Sequence, residues 1–281
     1  MECHNRNTRV FFGQPLEPNF RQGSMESILE SVNLLGYCLL PFGFQDLIES
    51  VSTEIDRMYR KEVEEFGADK LERINDLGVV RNPFLKSRLT RDLITDDRLL
   101  KVIERIFHFE PILHVNRFVI SDPKLTHPAS VWHREPPYNN FIAQSPMSIT
   151  VIHFPDGSNS ENSGVKIMAC SHRWPNFPSD RIVELHESTL DIPPGGILLF
   201  DSNLFHCGGE PGLSLRRSIV TIYTTPTIKQ QTNVAASILE NYRHVLEEDS
   251  RYSKIFGITT NPHLTDLDYR NNKLNLSKPI G

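Results

Sequence analysis

The sequence predicts a mainly β fold with flanking helices, and two features of the spacing of its apolar residues support this class. As far as Glu110, apolar residues recur every three or four positions, which is typical of amphipathic helices. After Glu110 this periodicity gives way to short apolar or alternating runs that are separated by Pro, Gly, Asn and Asp. Such runs favour a β-sandwich or barrel over βαβ units. We therefore expect one barrel domain whose N-terminal helices cover one sheet.

The chain before Glu110 is expected to hold an irregular arm, three helices and a short strand. Residues 1–23 are polar and punctuated by Pro and Gly, which predicts an irregular arm, and a single domain is expected over 24–281. The first helix begins at Met25, where apolar residues take up helical spacing. The other elements expected here are a short buried strand in 36–42 and helices over about 45–65 and 91–107.

The chain after Glu110 is expected to supply the barrel and one C-terminal helix. The strand-like runs are 111–120, 130–135, 147–154, 164–170, 196–201 and 216–225. The stretches "DGSNSENSG" and "PPGG" are strong turn signals between them. Helical periodicity returns at about 232–247.

Bulk properties exclude several classes of protein. The formal net charge of -5 provides no basic field for a nucleic-acid backbone, and the longest apolar runs are too short to cross a bilayer. The N-terminus lacks the layout of a secretory signal, and the four cysteines show no CxxC spacing. We expect a reduced, soluble, cytoplasmic protein that binds neither nucleic acid nor membrane. The sequence does not predict its oligomeric state.

The stretch "VWHRE" places His133 and Glu135 two positions apart in a strand-like run. Side chains alternate along a strand, so both would face the same side. An imidazole and a carboxylate on one face can occupy adjacent corners of a metal coordination sphere. The candidate third ligand is His206, which follows a buried strand and a tight turn. Two histidines and one carboxylate form the facial triad of non-haem Fe(II) oxygenases.

A short H-x-E motif occurs often by chance, so this interpretation needs further support. The rival ligands are His114, His127, His153 and His172. Support comes from Arg216, ten positions after His206 at the start of a strand. Oxygenases that use 2-oxoglutarate need a cation deep in the barrel, and the planar fork of arginine binds a carboxylate at two points. Ser218 would share the face of Arg216 and could assist it.

The stretches "GYCLLPF", "VWHRE", "ENSGVKIMACSHRWP", "PPGGILLFDSNLFHCGG" and "LRRSIVTIY", in this order, resemble the phytanoyl-CoA dioxygenase (PhyH) family. The resemblance spans about residues 30–225. It implies a double-stranded β-helix, a jelly roll of the cupin-like kind. It also implies an oxygenase that uses Fe(II), 2-oxoglutarate and O2.

Carried over by position, the resemblance implies His133, Glu135 and His206 as the iron ligands. It implies Arg216 as the anchor of the 2-oxoglutarate carboxylate, with Arg217 as the fallback. Glu135 stands where the family usually has aspartate, so its extra methylene must be absorbed by the backbone or the rotamer.

The sequence marks the substrate pocket weakly. Asn116, in "LHVNRF", is a barrel-interior candidate for contacts with co-substrate or substrate. The substrate candidates just past the ligand segment, on a rim loop, are Tyr138, Asn139 and Asn140. Arg134 should point away from the ligand pair and be solvated or salt-bridged.

The sequence therefore predicts a dioxygenase that oxidises a small metabolite or natural-product intermediate and releases succinate and CO2. Hydroxylation is the default outcome, while desaturation, epimerisation and ring formation stay open, as does the identity of the substrate. Two other classes compete, namely a non-catalytic metal-binding jelly roll and a cupin-type metal isomerase. Arg216 discriminates between them, because only the dioxygenase needs a buried carboxylate anchor near the iron.

Overall fold

A six-stranded antiparallel sheet, in the strand order β3-β9-β6-β11-β5-β4, forms the centre of the protein. The computed structural model describes residues 9–11, 14–16, 23–123, 130–135, 142–210, 212–259 and 265–276. The strands are β1 Arg9–Phe11, β2 Gln14–Leu16, β3 Tyr37–Leu39, β4 Val79–Arg81, β5 Ile112–Ser121, β6 Ser148–Phe154, β7 Val165–Met168, β8 Glu187–Thr189, β9 Gly196–Asp201, β10 His206–Gly208 and β11 Arg216–Thr224. A second sheet has the order β10-β7-β8, and β1 pairs with β2 alone.

Helices flank the large sheet. They are α1 Met25–Leu35, α2 Ile48–Phe66, α3 Ala68–Arg73, α4 Arg88–Ile94, α5 Asp97–Phe107, α6 Asp180–His186, α7 Val234–Asn241, α8 Val245–Glu248, α9 Tyr252–Ile255 and α10 Asp266–Leu276. In the described part of the chain, none of them has both the length and the apolar character that a bilayer crossing requires.

The two faces of the large sheet pack against different partners, because successive side chains of a strand point to opposite faces. On β6, Ile149 and Val151 pack into the main core with the helices. Their neighbours Ile152 and Phe154 pack into a second core together with Ile167 of the small sheet. Burial on both faces explains why β9 reads as a nearly continuous apolar run. The predicted jelly roll, with helices covering one sheet, is confirmed.

Two of the expected helices are each divided into two shorter ones. The run 91–107 is divided between α4 and α5, because the Asp96 side chain accepts a hydrogen bond from the Arg98 amide and begins a new helix. The run 232–247 ends as α7 at Asn241 and resumes as α8. Within the arm that was expected to be irregular, β1 and β2 pair as an antiparallel hairpin.

Gly36 joins α1 to the edge strand β3 in a place with no room for a side chain. Its φ of +87° is left-handed, and its N–H donates to the Val32 carbonyl at 3.0 Å, which caps α1. A Cβ built on Gly36 would lie 2.5 Å from Nδ1 of His172 and 2.7 Å from Cδ1 of Leu204. The glycine therefore permits both the turn and the close packing.

We predict that Gly36→Ala lowers the free energy of unfolding by roughly 2–6 kcal/mol, since left-handed strain and overpacking each cost about 1–3 kcal/mol. Gly67→Ala is the matched control, because Gly67 has a φ of +86° and a Cβ added to it would have nothing within 4 Å. It keeps the strain of a positive φ, about 1–3 kcal/mol, without the overpacking, so it should lose less stability than Gly36→Ala. Urea titration followed by circular dichroism measures both. Equal losses in the two variants would contradict the steric argument.

Candidate metal centre

The segment that carries His133 and Glu135 lies across the start of β10. Within residues 130–135 the structure has an isolated bridge in place of the expected strand. The His133 amide donates to the His206 carbonyl at 3.0 Å, and the His206 amide donates back to the His133 carbonyl at 3.1 Å. The Glu135 amide then donates to the Ser202 carbonyl at 2.8 Å. Three backbone hydrogen bonds thus align two segments that lie about seventy residues apart in sequence.

The structure brings the three expected ligands together. One ligand atom from each of His133, Glu135 and His206 lies within 4.8 Å of the others. Nε2 of His133 is 3.8 Å from Oε1 of Glu135, and the two imidazole centroids are 4.3 Å apart. Glu135 and His206 are buried, while His133 is partly exposed. Two imidazoles and one carboxylate at this spacing suit a divalent metal of the Fe(II) type.

Both imidazoles are oriented by backbone carbonyls. Nδ1 of His133 lies 2.7 Å from the Val131 carbonyl, and Nδ1 of His206 lies 3.0 Å from the Leu204 carbonyl. A carbonyl can only accept, so each Nδ1 is the protonated nitrogen and each Nε2 keeps its lone pair for a metal. Burial is the main cause that holds the pKa of His206 well below its usual value. His206 therefore stays in the neutral form that binds metals.

Arg134 fastens the ligand segment to its surroundings. It was expected to be solvated or salt-bridged, and this was wrong, because its partners are backbone carbonyls. Its guanidinium donates to the carbonyls of Asn203 at 2.7 Å and Ser171 at 2.9 Å, and also to that of Trp174. It also stacks 3.7 Å above the ring of Phe205. These contacts hold the backbone between the two ligands in place.

The rival histidines take other positions. His153 points into the helical core, where it packs against Phe44 at 5.6 Å and burial lowers its pKa to about 4. His172 lies 3.1 Å from the Asn33 carbonyl through Nε2. His114 lines the cavity described below but does not belong to the ligand cluster. His127 lies outside the described residues.

Arg216 is buried in the same cavity as the ligand cluster. Only 5% of it is exposed, and its guanidinium contacts two hydroxyls, Ser121 at 3.2 Å and Ser158 at 3.4 Å. No carboxylate of the described residues lies within ion-pair distance of it. Burial lowers its pKa to about 10, so the side chain stays charged at neutral pH. A buried charge with neutral partners is costly unless an anion joins it.

Arg217, the fallback anchor, is already engaged. Its guanidinium binds Asp56 of α2 through two hydrogen bonds of 2.8 Å. It also binds Asp156 at 2.9 and 3.1 Å, and its amide donates to the same carboxylate at 2.7 Å. With two carboxylate partners and the opposite orientation on β11, Arg217 is not available as an anchor.

Ser218 and Asn116 lie on opposite sides of the large sheet. Ser218 lines the cavity two positions after Arg216, as expected, and its hydroxyl donates to the Val119 carbonyl at 3.2 Å. The expectation that Asn116 faces the barrel interior was wrong. Its amide donates to Thr221 at 3.1 Å, and its carbonyl oxygen accepts from the Phe84 amide at 3.3 Å, on the helical side.

The cavity occupies about 330 Å³ between the two sheets. Its walls include apolar side chains of both sheets, among them Val119, Ile152, Phe154, Val165 and Val220. The substrate candidates Tyr138, Asn139 and Asn140 lie outside the described residues.

Arg117 is a site residue that the sequence did not reveal. It lies next to Asn116 on β5 but faces the cavity, where its Nη2 donates to Oε1 of Glu135 at 2.5 Å. The residue across from it on β4 is Arg81, which also lines the cavity and is bound by Asp76 at 2.6 Å. Because β5 is buried on both faces, its sequence does not show which alternate set points inward.

The chain matches a known protein family over the segment that carries the cluster. The sequence pattern of the phytanoyl-CoA dioxygenase (PhyH) family matches residues 33–217, a range that contains all three candidate ligands and Arg216. The uncharacterised protein Rv1501 of Mycobacterium tuberculosis is 22% identical over 247 residues, which cover 83% of this chain and 87% of Rv1501. An uncharacterised protein of Mycobacterium bovis, Mb1539, matches with the same identity and coverage.

Solved structures of similar fold include EctD from S. alaskensis with 2-oxoglutarate and 5-hydroxyectoine. It has a TM-score of 0.62 and 16% identity over 76% of this chain and 81% of its own. AviO1 from Streptomyces viridochromogenes has a TM-score of 0.55 and 16% identity over 75% and 99%. SnoN, an α-ketoglutarate-dependent epimerase from nogalamycin biosynthesis, has a TM-score of 0.55 and 15% identity over 72% and 84%.

We predict that His206→Ala and Glu135→Ala each weaken Co(II) binding by at least about 100-fold, because each removes one of three donors. His172→Gln is the control, since its imidazole binds a backbone carbonyl away from the cluster. Titration calorimetry of the purified variants measures the affinities. A His206→Ala protein that binds Co(II) as tightly as the wild type would disprove the ligand assignment.

Proposed function

The chain belongs to the phytanoyl-CoA dioxygenase (PhyH) family, and from that premise we propose that it is an Fe(II)- and 2-oxoglutarate-dependent dioxygenase of a small organic substrate. Its cofactors are Fe(II), 2-oxoglutarate and O2. The observation that carries the proposal is the charged side chain of Arg216, buried in the same cavity as the ligand cluster without a carboxylate partner among the described residues.

The environment of Arg216 fits the distal carboxylate of a diacid. Two serine hydroxyls leave the guanidinium charge uncompensated, and a desolvated charge is stabilised well only by an opposite charge. A carboxylate would supply that charge and would accept two of the guanidinium's parallel N–H donors. Ser218 lies on the same side of β11 and adds a hydroxyl nearby.

The spacing along the sheet also suits 2-oxoglutarate. Arg216 pairs with Ser121 on β5, four positions from Arg117, which contacts the ligand Glu135. Four strand residues span about 13 Å. The side chain of Arg216 and a five-carbon diacid, placed end to end, span about this length. One molecule of 2-oxoglutarate could therefore contact both the ligand cluster and Arg216.

The competing functions leave Arg216 without a role. A non-catalytic jelly roll or a metal isomerase would use His133, Glu135 and His206 but would not need a buried, unpaired cation in the same cavity. Keeping such a charge costs stability. The dioxygenase alone accounts for both features.

Different residues of this chain would hold the iron, orient the 2-oxo acid and exclude water. His133, Glu135 and His206 would hold the iron on one side, and Arg216 would orient the 2-oxo acid. Iron with bound 2-oxo acid supplies the activation of O2 and the oxidising power. The apolar wall of Val119, Ile152, Phe154, Val165 and Val220 excludes water and so protects the reaction from side products.

The proposed reaction is hydroxylation of a small metabolite or natural-product intermediate in the cytoplasm, with release of succinate and CO2. The cavity of about 330 Å³ fits a small molecule. The similar structures include both a complex with a hydroxylated compound and an epimerase, so this fold accommodates more than one outcome. The organic substrate sets which of them occurs.

The proposal predicts that anaerobic Fe(II) and 2-oxoglutarate together give a visible metal-to-ligand charge-transfer band with the wild-type protein. Arg216→Ala should need on the order of 100-fold more 2-oxoglutarate to reach half of the full band, because a buried charge-assisted pair is lost. Absorbance titration under argon measures this.

Arg217→Ala is the matched control, since it removes the same group from the neighbouring position of the same strand. It should lower thermal stability through loss of the Asp56 and Asp156 pairs but leave the titration unchanged. Absence of the band in the folded wild-type protein would end the dioxygenase proposal. Equal shifts in both variants would remove Arg216 from the anchor role.

A further inference from the structure

Arg117 places a second positive charge at the metal end of the cavity. Its Nη2 lies 2.5 Å from Oε1 of Glu135, and the same oxygen is 3.8 Å from Nε2 of His133. The guanidinium therefore touches one of the three expected ligands directly.

The neighbouring arginine does not share this position. Arg81 lies directly across from Arg117 in the sheet and lines the same cavity. Its guanidinium, however, is bound through two hydrogen bonds of 2.6 Å to Asp76, and about half of its side chain is exposed. Asp76 thus neutralises the charge of Arg81, whereas Arg117 is paired with Glu135, which would also bind the metal.

The charge that Arg117 faces changes with each ligand. Glu135 alone presents one negative charge, which attracts the guanidinium. A divalent cation on Glu135 turns that into one net positive charge, which repels it. At the metal end a 2-oxo acid adds one negative charge, because Arg216 neutralises its distal carboxylate, so its binding to the same cation cancels the net positive charge and removes the repulsion. Arg117 thus disfavours the bare cation but not the cation together with the 2-oxo acid.

We propose that Arg117 couples metal binding to 2-oxoglutarate binding, acting as a second cation for the 2-oxo acid at the metal end of the cavity. This inference rests on the proposed function, because it needs both ligands in the one site. Coupling of this kind is reciprocal, so each ligand tightens the other by the same factor. The protein then holds little iron without co-substrate and retains both when they are together.

Calorimetry with Co(II) tests the coupling without turnover. Co(II) is titrated into the protein alone, and 2-oxoglutarate is titrated into the Co(II)-saturated protein. In Arg117→Gln, Co(II) alone should bind at least as tightly as in the wild type, while 2-oxoglutarate should bind on the order of tenfold more weakly. Arg117→Lys keeps the charge, so it should restore most of the 2-oxoglutarate affinity.

Arg81→Gln is the matched control, because it removes one positive charge from the same cavity without touching Glu135. Both of its affinities should stay within about threefold of the wild type. Thermal unfolding checks each variant, and Arg117→Met provides a second neutral variant if Arg117→Gln is poorly folded.

Two results would overturn the inference. Unchanged 2-oxoglutarate affinity in the neutral Arg117 variants would show that the guanidinium does not act on the co-substrate. Weaker binding of Co(II) alone would show that Arg117 merely holds Glu135 in place. The proposed function fails separately, if the Co(II)-loaded wild type does not bind 2-oxoglutarate at all.

Discussion

The pair of backbone hydrogen bonds between His133 and His206 is the constraint on which the candidate site depends. It joins the start of β10 to a segment that belongs to no strand. The hydrogen bond from Glu135 to Ser202 and the contacts of Arg134 with three carbonyls extend the same junction. The backbone positions of the three expected ligands are therefore fixed largely by hydrogen bonds to main-chain atoms.

Four arginines in or near the candidate site have guanidinium groups with different kinds of partner. Arg134 is satisfied by carbonyls, Arg217 by two carboxylates and Arg117 by Glu135. Of these four, only Arg216 is left with neutral hydroxyls. Since a desolvated charge is normally paired, this contrast singles out Arg216 as the arginine that an added anion would stabilise most.

The sequence predicted the long elements well and the short ones poorly. The strand expected over 196–201 is β9, and those over 111–120 and 147–154 match β5 and β6 to within one residue. The edge strands β4 and β8 have three residues each, too few to show a period, and were missed. The pattern of apolar residues therefore predicts the long central strands. The positions of the short edge strands depend on tertiary contacts, which the pattern does not show.

The same limit applies within the candidate site. The structure brings His133, Glu135 and His206 together as expected, and metal binding by them stays a prediction. The choice of Asn116 over Arg117 was an error of one position on a strand that is buried on both faces. The partners of Arg134 could not be predicted from the sequence, because every residue has a backbone carbonyl whatever its side chain.

The two carboxylates that bind Arg217 determine which of two neighbouring arginines on β11 faces the cavity. Two identical side chains stand next to each other on β11, and a shift of the strand by one residue would exchange them. Asp56 of α2 and Asp156 of the turn after β6 both form ion pairs with Arg217, and these ion pairs fix the pairing register of β11. A change in the length of the loop between β10 and β11 would therefore leave Arg216 facing the cavity.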